Sequence, residues 1–149
     1  MGELPQDVKV KTILVPVDGS THSEMAVRYA CAIGGPLGAK VILLHVVPMT
    51  VSATPYGDHV SDQPFLALQK VGEDILSRAK KLAASLHCEF QELLDHGDPA
   101  DRIIDLAGEK SVDLIVVGSR GTSGFKRLFV GTISDKVVNR APCPVMIVR

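Results

Sequence analysis

The chain has 149 residues, 46% of them apolar and 22% charged, with a formal net charge of -1. That is the size and composition of one globular domain, able to bury roughly 70% of its unfolded surface. The near-neutral balance argues against broad electrostatic attraction to nucleic acid or an anionic membrane, and no run approaches the roughly 18 apolar residues of a transmembrane helix.

Residues 1–10 read as a short extension of a single domain. Asp7 is acidic and the apolar run Ile13–Val17 is too short for a secretory leader. Gln6 breaks the acylation pattern that Gly2 would open. A cytoplasmic protein is expected. The run Lys11–Val17, "KTILVPV", is the first predicted strand. "STHSEMAVRYACAIGG" then opens on Ser and Thr caps, places Glu24 in its first turn and is expected to stop at Gly34-Gly35-Pro36. Helical spacing puts Met25, Ala26, Tyr29, Ala30 and Ile33 on one face, predicted to face the core.

Ala39–Val47, "AKVILLHVV", is the second strand, with His45 expected to be a hydrogen-bonded core histidine. Residues 48–64 form a long loop of Pro, Gly, Ser, Thr and Asp. Its length exceeds the roughly 12–15 residues usual for an idle connection. A long amphipathic helix follows over Phe65–Leu86, with Gly72 inside it as a locally weak helix former. Cys88–His96 alternates more than the other strands and belongs nearer a sheet edge. "DPADRIIDLAGEK" starts a helix on Asp98 as N-cap, with Pro99 at the first helical position and Asp101 in the first turn.

Val112–Gly118 and the closing "CPVMIVR" complete five strands, with a short helix from Thr132 between them that ends at Ala141-Pro142. Continuous apolar blocks suit strands covered on both faces. Strict alternation of strand and helix predicts a three-layer α/β fold: an open, mainly parallel five-stranded sheet with right-handed crossovers and helices on both faces. Cys31, Cys88 and Cys143 form no C-x-x-C pair, and the five histidines form no H-x-x-x-H pair. Reduced, packed cysteines are expected rather than a zinc site.

Ligands of such sheets bind at the carboxyl ends of the strands where their order reverses. Three segments should meet there: "PVDGS", "HVVP" and "VVGSRGTSGFKRLFVGTIS". In the last, Gly118 ends a strand, Gly121 follows after two residues and Gly131 after nine more, and Thr132-Ile133-Ser134 opens a helix. Glycines let backbone N–H groups approach a ligand, and a helix N-terminus favours phosphate. Thr132 and Ser134 offer hydroxyl donors, whereas Lys126 and Arg127 read as solvated surface. Neither G-x-x-x-x-G-K-[ST] nor G-x-G-x-x-G occurs, so this is neither a P-loop nor a dinucleotide fingerprint.

The spacing Gly118-x2-Gly121-x9-Gly131-Thr132 resembles the ATP-binding signature of the universal stress protein family, G-2x-G-9x-G-[ST]. "ILVPVDGSTHS", "LLHVV", "GDPADRI", "DLIVVGSRGTSG" and "APCPVMIVR" resemble that family's other motifs, so the likeness runs from Lys11 to Arg149. It implies strand order 3-2-1-4-5 and an adenine nucleotide, ATP above all, with any Mg²⁺ carried by its phosphates. Asp18, within Pro16-Val17-Asp18, is implied to contact the ribose; its other reading is a cap for the helix near Ser20. Val46 is implied beside the adenine, with Val17 and Val117 as apolar neighbours or core. Gly118, Arg120, Gly121, Gly131, Thr132, Ile133 and Ser134 match positions around phosphates and ribose, Arg120 through its backbone.

No acid lies between Gly118 and Ser134 to place a metal or orient a nucleophile. A nucleotide-binding stress regulator or sensor is therefore expected in preference to a fast ATPase, with slow hydrolysis left open. The alternative is a dimeric interaction module without nucleotide, as in the family branch that lacks the glycine signature. The resemblance also implies a homodimer paired through the last strand, with Val145 and Ile147 central. ATP is not separated from ADP, AMP or a cyclic nucleotide.

Overall fold

A computed structural model describes residues 7–49, 63–120 and 131–149. Strands and helices alternate through them: β1 (Thr12–Pro16), α1 (Thr21–Leu37), β2 (Lys40–Pro48), α2 (Gln63–Ser85), β3 (Phe90–Gly97), α3 (Pro99–Glu109), β4 (Leu114–Gly118), α4 (Thr132–Arg140) and β5 (Val145–Val148). The strands form one sheet in the order β3-β2-β1-β4-β5, and every ladder is parallel. The chain moves outward from β1 to β3, then returns past β1 to β4. The carboxyl ends of β1 and β4 therefore flank the point where the order reverses.

Successive strand residues point to opposite faces. Ile13, Val15, Val41, Leu43 and Val116 join one core with α1 and α2. Leu14, Ile42, Leu44, Ile115 and Val117 join the other with α3 and α4. Both faces are covered, which is why the sequence shows apolar blocks rather than alternation. β3 and β5 are the edges, as expected from their patterns.

Two expectations for α1 are corrected. The helix passes through Gly34-Gly35-Pro36 to Leu37 and ends on Gly38, whose left-handed backbone (φ 63°) directs its N–H to the carbonyls of Gly34 and Gly35. Gly34 is a packing glycine rather than a stop: a β-carbon there would lie 3.3 Å from Ile13 Cδ1. Met25 and Tyr29 are exposed, at 41% and 48%. The buried face is instead Ser23, Ala26, Val27, Ala30, Cys31 and Gly34. These residues are small because α1 lies close on the sheet, and close approach outweighs side-chain hydrophobicity in choosing the face.

Gly72 does not interrupt α2. A β-carbon there would stand 2.7 Å from His45 Cδ2, so the helix needs glycine where the ring lies beneath it. His45 is buried as expected, with Nδ1 2.7 Å from Val17 O. A carbonyl only accepts, so Nδ1 carries the proton. Cys31, Cys88 and Cys143 are free thiols; the first two are buried and the third half-buried. Among the described residues no helix is long and apolar enough to cross a membrane.

Candidate functional site

β1 ends at Pro16, and Val17 continues it for one bond, its N–H donating to Leu44 O at 2.8 Å. The chain then turns through Asp18 and Gly19, where φ of 84° favours glycine, into Ser20. Ser20 is the N-cap of α1: its Oγ accepts from the Ser23 N–H at 3.2 Å. Asp18 is therefore not the cap. Its Oδ1 instead accepts from the N–H and the hydroxyl of Ser20, at 2.9 and 2.5 Å. Ser23 closes the turn from behind, its Oγ donating to Ser20 O and accepting from the Asp18 N–H.

β4 approaches from the other side. Gly118 passes directly beneath α1, and a β-carbon there would stand 2.8 Å from the His22 carbonyl carbon. The next residue, Ser119, is buried and uses both backbone groups: its N–H donates to Val148 O and its carbonyl accepts from the Gly131 N–H, each at 2.7 Å. The Gly131 bond brings the start of α4 back to the end of β4. Ser134 Oγ reinforces it, donating to Gly118 O at 2.7 Å. The Ser134 proton is thus committed to the chain's own backbone, and Thr132, which is exposed, presents the freer hydroxyl.

The N-terminus of α4 differs from those of α1 and α3. Ser20 and Asp98 cap those helices with side-chain oxygens, whereas α4 begins on Gly131, which has no side-chain cap bond. Its first helical bond runs from the Asp135 N–H to Gly131 O at 2.9 Å. The N–H groups of Thr132, Ile133 and Ser134 therefore have no intrahelical acceptor, and the helix dipole adds partial positive charge there. This is an anion-binding geometry. Ile133 is 42% exposed beside it.

The sequence-predicted residues meet in part. Ser20 Oγ lies 3.4 Å from Arg120 O, so the turns after β1 and β4 touch, and Arg120 takes part through its backbone. Val46 and Val117 are buried on the α3–α4 face, whereas Val17 faces the α1–α2 core. The side chain of Val17 therefore belongs to the opposite layer from the other two valines. Pro16 is half-buried at the crevice. Gly121, Lys126 and Arg127 lie outside the described residues, as does most of the predicted loop 48–64. Ser119 and the bonds of Ser20 to Asp18 were missed. The "DGS" tripeptide carried the second signal, since Asp two residues before an N–H is an Asx-turn.

Charges behind the site tie α4 to α3. Lys136 Nζ lies 2.8 Å from Asp101 Oδ1 and 3.4 Å from Asp98 Oδ1. The Asp101 N–H bond holds the Asp98 carboxyl below the usual range, with Lys136 adding to the effect against a small burial penalty. Burial works to raise Asp95, but the Arg102 guanidinium, 2.7 Å away, and the His96 N–H hold it below its ordinary value. Among the described residues no group of three His, Cys, Asp or Glu could hold a metal ion.

A sequence model of the universal stress protein family matches residues 9–149. The chain is 38% identical over 144 residues to universal stress protein YxiE of Bacillus subtilis, covering 92% of this chain and 97% of that protein. Among solved structures, universal stress protein UspA from Lactobacillus plantarum is 28% identical with a TM-score of 0.75, covering 96% of this chain and all of the other. A universal stress protein in complex with cAMP is 27% identical with a TM-score of 0.68, covering 95% and 98%.

Proposed function

The chain belongs to the universal stress protein family, and on that premise we propose that it is an adenine-nucleotide-binding stress regulator or sensor without fast catalysis. The observation that carries this reading is the N-terminus of α4, which has no side-chain cap and is drawn against the end of β4 by Gly131 and Ser134. The relative in complex with cAMP supports an adenine nucleotide as the ligand. The N–H groups of Thr132, Ile133 and Ser134 and the Thr132 hydroxyl would hold phosphate, Asp18 the ribose hydroxyls, and Val46 with Val117 the apolar side of the crevice. Gly118, Arg120 and Gly131 would shape the path around them. Bound ATP would supply triphosphate and any Mg²⁺; the residues of the chain bind and orient it. Such a role suits a cytoplasmic protein.

Thr132→Glu tests the reading. A carboxylate in the first turn of α4 favours the helix dipole but repels phosphate. ATP affinity measured by calorimetry should fall about tenfold or more, the effect of one carboxylate–phosphate repulsion at close range, while the melting temperature holds or rises. Titrating ADP, AMP and cAMP alongside ranks the ligands. Wild-type protein that binds none of them, and carries none when its denatured supernatant is examined by mass spectrometry, would overturn the proposal.

The partner reading is a second copy of this chain. β5 has only β4 beside it, leaving its outer edge open among the described residues, and Val145 and Ile147 are half-buried. An open apolar edge must be covered or paired.

A further inference from the structure

Ser20 does more than a helix cap requires. A cap needs only an acceptor for the first-turn N–H groups, and Ser20 Oγ supplies that to the Ser23 N–H. Yet Ser20 also donates twice to Asp18 Oδ1, once from its backbone N–H at 2.9 Å and once from its hydroxyl at 2.5 Å. The hydroxyl bond is short and charge-assisted, the stronger kind. Asp18 Oδ1 is therefore occupied, while among the described residues Oδ2 makes no hydrogen bond. The same hydroxyl lies 3.4 Å from Arg120 O, so one atom joins the Asp18 carboxylate, the start of α1 and the turn after β4.

We propose that Ser20 is a positioning residue for ribose recognition, an inference that rests on the nucleotide reading above. Its two donors hold the Asp18 carboxylate in one rotamer and saturate Oδ1. Oδ2 is then left to accept from the ribose hydroxyls. Ser20 itself touches no ligand; it sets which carboxylate oxygen is offered and in what direction. Removing the hydroxyl frees the Asp18 side chain to rotate, so the ligand must pay the ordering that the protein now supplies in advance.

Capping and positioning separate by mutation. Glycine caps a helix nearly as well as serine but has no hydroxyl, and the extended backbone of Ser20 (φ -74°, ψ 158°) accepts Gly, Ala or Thr. Binding of ATP and of 2′,3′-dideoxy-ATP is measured by calorimetry for wild type, Ser20→Gly, Ser20→Ala and Ser20→Thr, with melting temperatures recorded. Wild type should prefer ATP by about tenfold or more, the worth of a hydrogen bond to a charged group. That preference should fall by about threefold or more in the Gly and Ala variants and persist in the Thr variant, because only part of one charged hydrogen bond's worth is at stake. An unchanged preference in the Gly variant would show that Ser20 is a cap alone and overturn the inference. Equal binding of the two nucleotides by wild type would overturn it while leaving nucleotide binding intact. Failure of wild type to bind either would sink the nucleotide reading itself.

Discussion

A single methyl group on Gly118 would meet the His22 carbonyl carbon at 2.8 Å, a contact with backbone that cannot rotate away. Gly118→Ala should destabilise the protein by about 1–3 kcal/mol in chemical denaturation, the usual cost of overpacking. It should weaken ATP binding as well, because the start of α1 must lift off β4 and carry Ser20 away from Arg120. Stability and binding that both match wild type would show that α1 yields freely. Ser134→Ala isolates a neighbouring contact. Losing its bond to Gly118 O should cost about 1 kcal/mol, and the helix start it tethers should protect its amides less in hydrogen exchange. Before folding, Thr132 and Ser134 are two equivalent hydroxyls. They diverge because the first turn of α4 points one at the β4 backbone and leaves the other in solvent.

Among the elements, α3 shows capping at its plainest. Asp98 accepts from the Asp101 N–H at 3.0 Å, and Pro99 occupies the first turn. Asp98→Ala should lower stability by about 1 kcal/mol at neutral pH, as N-cap removal does. The sign with pH follows from its lowered pKa in the folded state. Its contribution is complete above the unfolded value of about 3.9 and fades as pH falls through that value towards the folded one. Wild type and variant should therefore melt closer together at pH 3 than at pH 7; a constant gap would exclude the charge as its source. In α2, Gly72→Ala should be destabilising despite alanine's helix preference of about 1 kcal/mol. A β-carbon 2.7 Å from the His45 ring displaces the Nδ1 bond to Val17. In a His45→Ala background the same change should become neutral or stabilising. The starts of α1, α3 and α4 could be read from residue order. The buried face of α1 could not: Met25 and Tyr29 outrank Gly34 and Ser23 in hydrophobicity, and only the nearness of the sheet reverses that ranking.

For the molecule as a whole, the edge of β5, open among the described residues, sets the expectation of a dimer. Sedimentation at micromolar concentration should show two copies, and a pure monomer would remove the pairing through Val145 and Ile147. Acid should loosen the fold through the carboxylates held below their ordinary range. Asp95 and Asp98 both stabilise above about pH 3.9 and lose that contribution as pH falls below it.

By itself the sequence determined the alternation of strands and helices, the parallel sheet and the place of Gly118 and Gly131 at its carboxyl end. Those features rest on local rules: buried parallel strands read as apolar runs, caps stand at helix starts, and glycines punctuate. The tertiary structure decided what depends on distance between remote segments. It rotated α1 onto its small residues, put Val17 and Val117 in opposite layers, and committed the Ser134 proton to Gly118. It also turned Asp18 from a possible cap into a carboxylate gripped by Ser20. Such outcomes follow from which atoms lie within hydrogen-bond or van der Waals reach, and residue spacing along the chain does not contain that information.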